Sequence, residues 1–436
     1  MIGPTHIWHP YTKRSLVDAG TLPVFTRGEG LYLYDDAGDA YLDAVSSWWC
    51  VALGHGRPEV VQAIQEQAAT LAHCILGNQA HPPAIALAER LAGLMPSPDR
   101  KVFFASDGSC ANEAALKIAV QYFHATGQPQ RNRFLSLTTP YHGDTLGAVS
   151  VGFMEDFHAP FRPLAFPVTQ LEPPPVPEGH DVLTAPLAEG SLDALDTILA
   201  EQGDQIAGVI VESLCQGAAG MRMIPAAWTR AVADRCQAAG VLVIVDEIAM
   251  GLGRTGKRFG FEHAGIDPDI VTLGKALTNG ATPLSAAIVR ESIYDAFTDS
   301  ADADNTFYHG HTFTGHAIGC AAALATLDVF AKENIVDQAR AGGEALQRAV
   351  QEKLAGHPAI EAAWGVGLIG AFRLKPYGPS ALEVKAAMQA RGILIRPLGR
   401  MAYFMPPLVT PEPVLVELVD QLVAVLDALG SSDDPG

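Results

Sequence analysis

The sequence predicts an α/β protein, with a large domain on a mostly parallel sheet covered by helices and a smaller α+β domain beside it. Three observations carry that expectation. Apolar runs at 206–211, 241–245, 270–273 and 285–289 are nearly unbroken, as strands buried on both faces require. Helical segments alternate with such runs from about residue 55 to 325, a βαβ pattern that dictates parallel pairing. After residue 327 the texture changes, with long helices bracketing short strands.

In chain order, residues 24–43 alternate apolar and polar side chains around turn formers at 27–30 and 35–39, so an antiparallel meander is expected. Past Pro58, the side chains of Val60, Val61, Ile64, Ala68 and Leu71 share one helical face. A second helix over 85–95 is stopped by Pro96. Residues 101–104 read as a strand, 109–125 as a helix closed by Gly127, and 134–138 as a strand leading into PYHGDT at 140–145. The prolines of 171–180 mark a surface excursion and no domain boundary. A helix at 226–239 has Gly240 just past its end. The helix at 317–331 carries small residues in its first half, which suits close backbone packing. Helices at 335–354 and 413–429 enclose strands near 367–374, 392–396 and 401–405. The expected division is a meander domain over 1–50 joining the small domain, a large domain over 51–328 and a small domain over 329–436.

Bulk properties exclude several function classes. A composition 48% hydrophobic and 18% charged is that of an ordered globular protein, with disorder expected only in the tail at 431–436. A net charge of −19 argues against nucleic acid or an anionic membrane as the main partner, because both need a basic face. No apolar run approaches the ~20 residues that span a bilayer. The first residues lack the apolar core of a signal peptide. Six scattered cysteines without a CxxC pair read as reduced thiols, so the protein is expected in the cytoplasm.

The chemistry gathers at strand ends. The run at 241–245 ends in Asp246 and Glu247, and the run at 270–273 ends in Gly274 and Lys275. Ligands of open parallel sheets bind outside the carboxyl ends of the strands, so this acid and this lysine are candidates for one site. Gly108 and Ser109 open a helix whose free amides favour an anion such as phosphate, although taken alone they make an ordinary N-cap. An amine kept partly out of water is a nucleophile for a carbonyl, and an acid can hold a protonated pyridine nitrogen. Tyr141 or His142 can stack on the ring. Pyridoxal phosphate accounts for the lysine, the acid, the aromatic and the phosphate cup together.

Two other motifs carry less. The run GLGRTG at 251–256 satisfies a dinucleotide fingerprint, the basis for a rival nicotinamide dehydrogenase, but no apolar helical period follows it. It reads as a loop. His309, His311 and His316 lack nearby acid or thiolate ligands, so they read as loop histidines and no metal is expected.

In combination the motifs are specific. They are SDGSCANEAALK at 106–117, YHGDT at 141–145, Glu212 with QGAAGM at 216–221, DEIAMGLGRTGK at 246–257, TLGKAL at 272–277 and HGHTFTG at 309–315. Through them the chain resembles the class III (ω-) aminotransferases, fold type I pyridoxal-phosphate enzymes, over nearly its whole length. The resemblance implies that Lys275 binds the cofactor aldehyde and shuttles the proton, that Asp246 holds the ring nitrogen and that Tyr141 covers the ring. It implies a phosphate site of Gly108 and Ser109, with His311 and Thr312 approaching from a neighbouring subunit, and hence a homodimer.

IWHPYT at 7–12, SSWW at 46–49 and IRPLGRMAYFMPP at 395–407 resemble the branch of that family that aminates 8-amino-7-oxononanoate from S-adenosylmethionine. Such a substrate needs an apolar, aromatic channel ending in a cation. The resemblance makes Tyr11, Trp48, Tyr141, Lys275, Gly310 and Arg396 the substrate contacts, with Tyr11 stacking on the donor's adenine. If residues 48–49 are extended, the two tryptophans point to opposite faces and only Trp48 lines the site. Arg396 follows the apolar run at 393–395, which favours a cleft over a surface strand end. His311 stands where many relatives of this branch have proline, and the stretch ASDGSCANEAALK departs from the branch's usual variants, so a lysine donor stays open; the nearest rival, another ω-aminotransferase acting on a diamine or ω-amino acid, is opposed by Arg396 and the Trp48 and Tyr11 walls.

Overall fold

A seven-stranded sheet frames the molecule in a computed structural model that describes residues 6–20, 22–300 and 304–430. The tail at 431–436, expected to be disordered, lies outside the described residues. An N-terminal meander comes first: β1 (Phe25–Glu29), β2 (Tyr32–Asp35) and β3 (Ala40–Leu42). The sheet strands are β4 (Arg100–Ala105), β5 (Arg133–Leu137), β6 (Thr169–Leu171), β7 (Ile206–Glu212), β8 (Leu242–Asp246), β9 (Ile270–Leu273) and β10 (Ser285–Arg290). Their spatial order is β4-β10-β9-β8-β7-β5-β6, and β10 alone runs antiparallel to its neighbours. Every residue of β7, β8 and β9 is buried, which is why these runs are apolar without alternation. β6 is an edge strand of three residues that the proline-rich reading of 171–180 did not anticipate.

Register brings polar ends into one row. Asp246 on β8 pairs with Glu212 on β7 and with Thr272 on β9. The helix α1 (Gly108–Ala125) starts beside that row. Asp107 caps it from an extended conformation, its side chain accepting the Cys110 N–H at 3.0 Å, a contact worth about 1 kcal/mol. The helix expected over 85–95 spans Pro82–Ala92, one turn earlier. His81 caps it and two prolines fill the first turn, where missing N–H groups cost nothing.

Beyond Ala317–Lys332 and Ile335–Ala349 lies a four-stranded antiparallel sheet of β11 (Ile360–Val366), β12 (Ile369–Leu374), β13 (Arg396–Leu398) and β14 (Met401–Phe404), in the order β11-β12-β14-β13. The strand expected at 392–396 is only a bridge, Leu42 to Ile393, so Arg396 begins a strand instead of ending one. That bridge ties the meander to the C-terminal sheet through Leu42 N–H to Gly392 O and Leu394 N–H to Leu42 O. The main hydrophobic core runs continuously from Leu87 and Val243 to Leu415 and Leu422, joining the two lobes.

The GLGRTG run is a series of turns, and no helix opens from it. Its Arg254 is buried and donates from Nη1 to the Leu368 and Pro406 carbonyls, at 3.1 and 2.6 Å. Burial pushes that guanidinium down to about 9. The run docks the C-terminal lobe, a use of glycines that has nothing to do with nucleotide phosphates. Among the described residues no helix is long and apolar enough to cross a membrane.

Candidate active site

The polar ends of β7 and β8, the start of α1 and the loop after β5 enclose a cavity of about 710 Å³. Lys275 enters it directly after β9, with φ of 44°. Its Nζ lies 5.0 Å from the centroid of the Trp49 ring. Gly108, Ser109, Tyr141, Glu212 and Asp246 line the same space. Asp246 is held by three donors: Ile248 N–H to Oδ1 at 3.0 Å, and Asn112 Nδ2 and His142 Nδ1 to Oδ2, both at 2.8 Å. Ser109 Oγ contacts Thr145 Oγ1 at 2.8 Å and accepts the Thr145 N–H at 2.9 Å. Among the described hydrogen bonds, the amides of Gly108 and Ser109 are left over at the helix start.

Glu212 is buried at the cavity wall, accepting the Tyr141 and Gly217 N–H groups at 3.2 and 3.0 Å. Burial first, then the charge of Asp246, pushes it up to about 7. Glu247, the other acid of the pair, points away from the cavity. It accepts from the Ser213 hydroxyl and the Gly260 and Phe261 amides, and burial pushes it up to about 7 as well. Two neighbouring acids on one strand end thus do different work, because side chains alternate faces.

A second cavity of about 400 Å³ adjoins the first through Trp49, Cys50, Tyr141, Asp144 and Lys275. Tyr11, Trp48, Phe157 and Arg396 also line it. Tyr11 donates to Asp144 Oδ1 at 2.7 Å and Tyr141 donates to Oδ2 at 3.0 Å, so one carboxylate aligns two phenols. Burial, the largest cause, raises both phenols: Tyr11 to about 12, and Tyr141, with further help from Tyr11 and Asp144, well above its usual value. Arg396 stacks on Trp48 with its guanidinium carbon 4.2 Å from the ring centroid.

The extended conformation expected at Trp48–Trp49 is wrong. Ser46, Ser47, Trp48 and Trp49 all have positive φ (49°, 45°, 66° and 74°), a left-handed turn. Such a turn is strained for residues with Cβ atoms and persists only when its surroundings hold it. Here the Ser46 hydroxyl donates to Met405 O at 2.5 Å and the Ser47 hydroxyl to Asp43 at 2.7 Å. As a result both tryptophans line the second cavity, Trp49 reaching the first as well.

Lys275, Asp246, Tyr141, Gly108 and Ser109 are therefore brought together, and Tyr11, Trp48 and Arg396 converge beside them. Gly310, His311 and Thr312 are not among the residues lining either cavity of their own chain. Asp144, Trp49, Phe157 and Tyr403 line the second cavity without having been anticipated. Asp144 lies three residues from Tyr141, a spacing that hinted at contact, whereas nothing local marks Phe157. Among the described residues no three His, Cys, Asp or Glu side chains group as metal ligands.

The model of the family Aminotransferase class-III matches residues 17–426. The adenosylmethionine-8-amino-7-oxononanoate aminotransferase of Synechococcus elongatus is 41% identical over 430 residues, covering 97% of this chain and 98% of its own. That of Geobacter sulfurreducens is 38% identical over 433 residues, with 96% and 94% covered. Among solved structures, the enzyme of that name from Methanocaldococcus jannaschii superposes with a TM-score of 0.89 at 34% identity, covering 97% of each chain. An amine transaminase from an uncultivated Pseudomonas species, in its PLP-bound form, gives 0.90 at 31% identity over 98% of this chain and 99% of its own. The fold is that of these pyridoxal-phosphate transaminases, and the chain belongs to the class-III aminotransferases.

Proposed function

We propose that this protein transfers the amino group of S-adenosylmethionine to the ketone of 8-amino-7-oxononanoate, forming 7,8-diaminononanoate for biotin synthesis, with pyridoxal 5′-phosphate as cofactor. The observation that carries the substrate assignment is the second cavity. It joins the amine of Lys275 to a guanidinium, Arg396, that has no acidic partner among the described residues. An apolar, aromatic channel between an amine and an uncompensated cation matches a ketone joined by an aliphatic chain to a carboxylate. The names of the relatives point to the same substrate pair.

The donor set fits the cofactor. Two unused amides at a helix start suit a phosphate, the triply held Asp246 suits a protonated ring nitrogen, and Lys275 suits an aldehyde. When bound, the cofactor supplies an electron sink for the carbon that loses its proton. Gly108 and Ser109 would hold the phosphate, joined by the partner subunit's His311 and Thr312. Lys275 would take the proton from the substrate carbon and return it, as among the described residues its side chain is the only amine lining the first cavity. Tyr141, aligned by Asp144, would cover the ring, and Trp48, Trp49 and Tyr11 would exclude water from the substrate chain, Tyr11 stacking on the donor's adenine. Gly310 would contact substrate from the partner.

Sharing of sites between two copies is supported by apolar side chains left exposed near those loops, Ile75 at 48%, Tyr308 at 78% and Phe313 at 56%. We divide the chain into the meander domain (1–50), the large cofactor domain (51–328) and the small domain (329–436). Six unpaired thiols support a reducing, cytoplasmic setting.

A second reading is an ω-aminotransferase for lysine, a diamine or an ω-amino acid, favoured by the equal superposition of an amine transaminase. Purified protein incubated with 8-amino-7-oxononanoate and either S-adenosylmethionine or lysine should form 7,8-diaminononanoate with the former. Formation only with lysine, or amination of diamines alone, would overturn the assignment. Lys275→Ala should lose both turnover and the cofactor's visible band.

A further inference from the structure

We infer that Asn112, oriented by the Thr272 hydroxyl, is a positioning residue that selects which oxygen of Asp246 faces the cofactor slot. The inference rests on the pyridoxal phosphate reading above. Asn112, Thr272 and His142 are buried, and neither Asn112 nor Thr272 lines the cavity, so any effect they have on the reaction passes through other side chains.

Hydrogen-bond arithmetic leaves one arrangement. The His142 carbonyl can only accept, so the amide nitrogen of Asn112 must face it, at 2.8 Å. The second hydrogen of that nitrogen then goes to Asp246 Oδ2, also at 2.8 Å. The amide oxygen is left facing Thr272 Oγ1 at 2.8 Å, so the Thr272 hydroxyl must be the donor. Oδ2 also takes His142 Nδ1 and so has two side-chain donors, while Oδ1 has only the Ile248 N–H. Asn112 thus occupies one oxygen and leaves the other with accepting capacity to spare. By bridging the His142 backbone and the Asp246 side chain it also sets the spacing between the wall that carries Tyr141 and the floor that carries the acid. Thr272 lies opposite Asp246 in the parallel ladder, so backbone register delivers the hydroxyl to the amide.

The test uses Thr272→Val, which keeps the shape and removes the hydroxyl, with Thr272→Ser as the conservative rescue. In the holoenzyme, Thr272→Val should speed cofactor release by roughly tenfold and move the pH midpoint of the visible band, with KM for both substrates changed less than about twofold. Thr272→Ser should behave as wild type. In the cofactor-free protein with 15N-labelled histidine, the low-field ring N–H signal of His142 should be present in wild type and broadened or shifted in Thr272→Val. An unchanged midpoint and release rate in Thr272→Val, or a Thr272→Ser variant equally impaired, would reduce Asn112 and Thr272 to packing. Should Thr272→Val not fold, the wild type decides: slow solvent exchange of the Asn112 side-chain amide protons in the cofactor-free protein supports the inference, and fast exchange overturns it. A wild-type protein that binds no pyridoxal phosphate would instead sink the cofactor reading while leaving the cofactor-free signals to report on the network.

Discussion

The guanidinium carbon of Arg396 lies 4.2 Å from the centroid of the Trp48 ring, in the cavity that Lys275 also lines. Stacking holds the planar fork in place, and among the described residues no acid pairs with it, as the proposed reading of a substrate carboxylate requires. The Trp48 ring can support Arg396 only because residues 46–49 form a left-handed turn. Arg396 and the turn are therefore one device.

Replacing Arg396 by Ala should raise KM for 8-amino-7-oxononanoate by roughly 10- to 100-fold, the loss of one charge-assisted contact. The methyl ester of that substrate should be handled equally by wild type and variant. Steady-state kinetics with acid and ester check this; equal losses for both would show that Arg396 does not read the carboxylate.

Subunits carrying Lys275→Ala and subunits carrying Thr312→Val should each be impaired as homodimers. Random mixing should restore about one quarter of wild-type sites, because each mixed dimer has one site with both residues intact. Activity and visible absorbance after co-refolding measure it, and no recovery would place Thr312 outside the partner's site.

Glu212 gives a pH-dependent stability term of known sign. Its folded pKa is raised from 4.5 to about 7, chiefly by burial. Between these values the folded state binds more protons than the unfolded state, so the contribution is full below about 4.5 and is lost as pH rises through about 7. Glu212→Gln lacks it. Melting temperatures of the cofactor-free proteins should therefore favour wild type over the variant more at pH 5 than at pH 8, by calorimetry. The opposite trend would mean that Glu212 folds as a stabilised anion.

Gly143 sits at φ 117°, and a Cβ there would run into the side chain of Ser109. Gly143→Ala should weaken pyridoxal phosphate binding by at least about tenfold, since the clash moves the phosphate cup and φ itself is unfavourable. Gly127→Ala is the control: φ is 77° but the space is open, so only stability should fall. Fluorescence titration of the cofactor-free proteins separates the two, and equal affinities would show that the cup tolerates displacement.

Local pattern was enough for most of the sheet and for the ends of its strands. Runs with no polar interruption can only be strands covered on both faces, and the residues that end them must emerge at one edge. The placement of Asp246 and Lys275 was legible for that reason, and that of Gly108 and Ser109 because they open the helix after the first strand of the sheet. Helix starts were less so, and the helix at Pro82 was placed a turn late because its cap is a histidine.

By itself, then, the sequence determined the large sheet and the gathering of Asp246 and Lys275 at its edge, since both follow from periodicity and from which residues close each run. Tertiary structure alone decided the wall of the second cavity and the support behind it. The left-handed turn at Trp48–Trp49 is held by a hydroxyl bonded 359 residues away. Asp144 aligns phenols 130 residues apart. Asn112 and Thr272 meet across 160 residues. Strain, alignment and proton order at these places are set by long-range contacts, and no local propensity encodes a contact that forms only when distant segments pack.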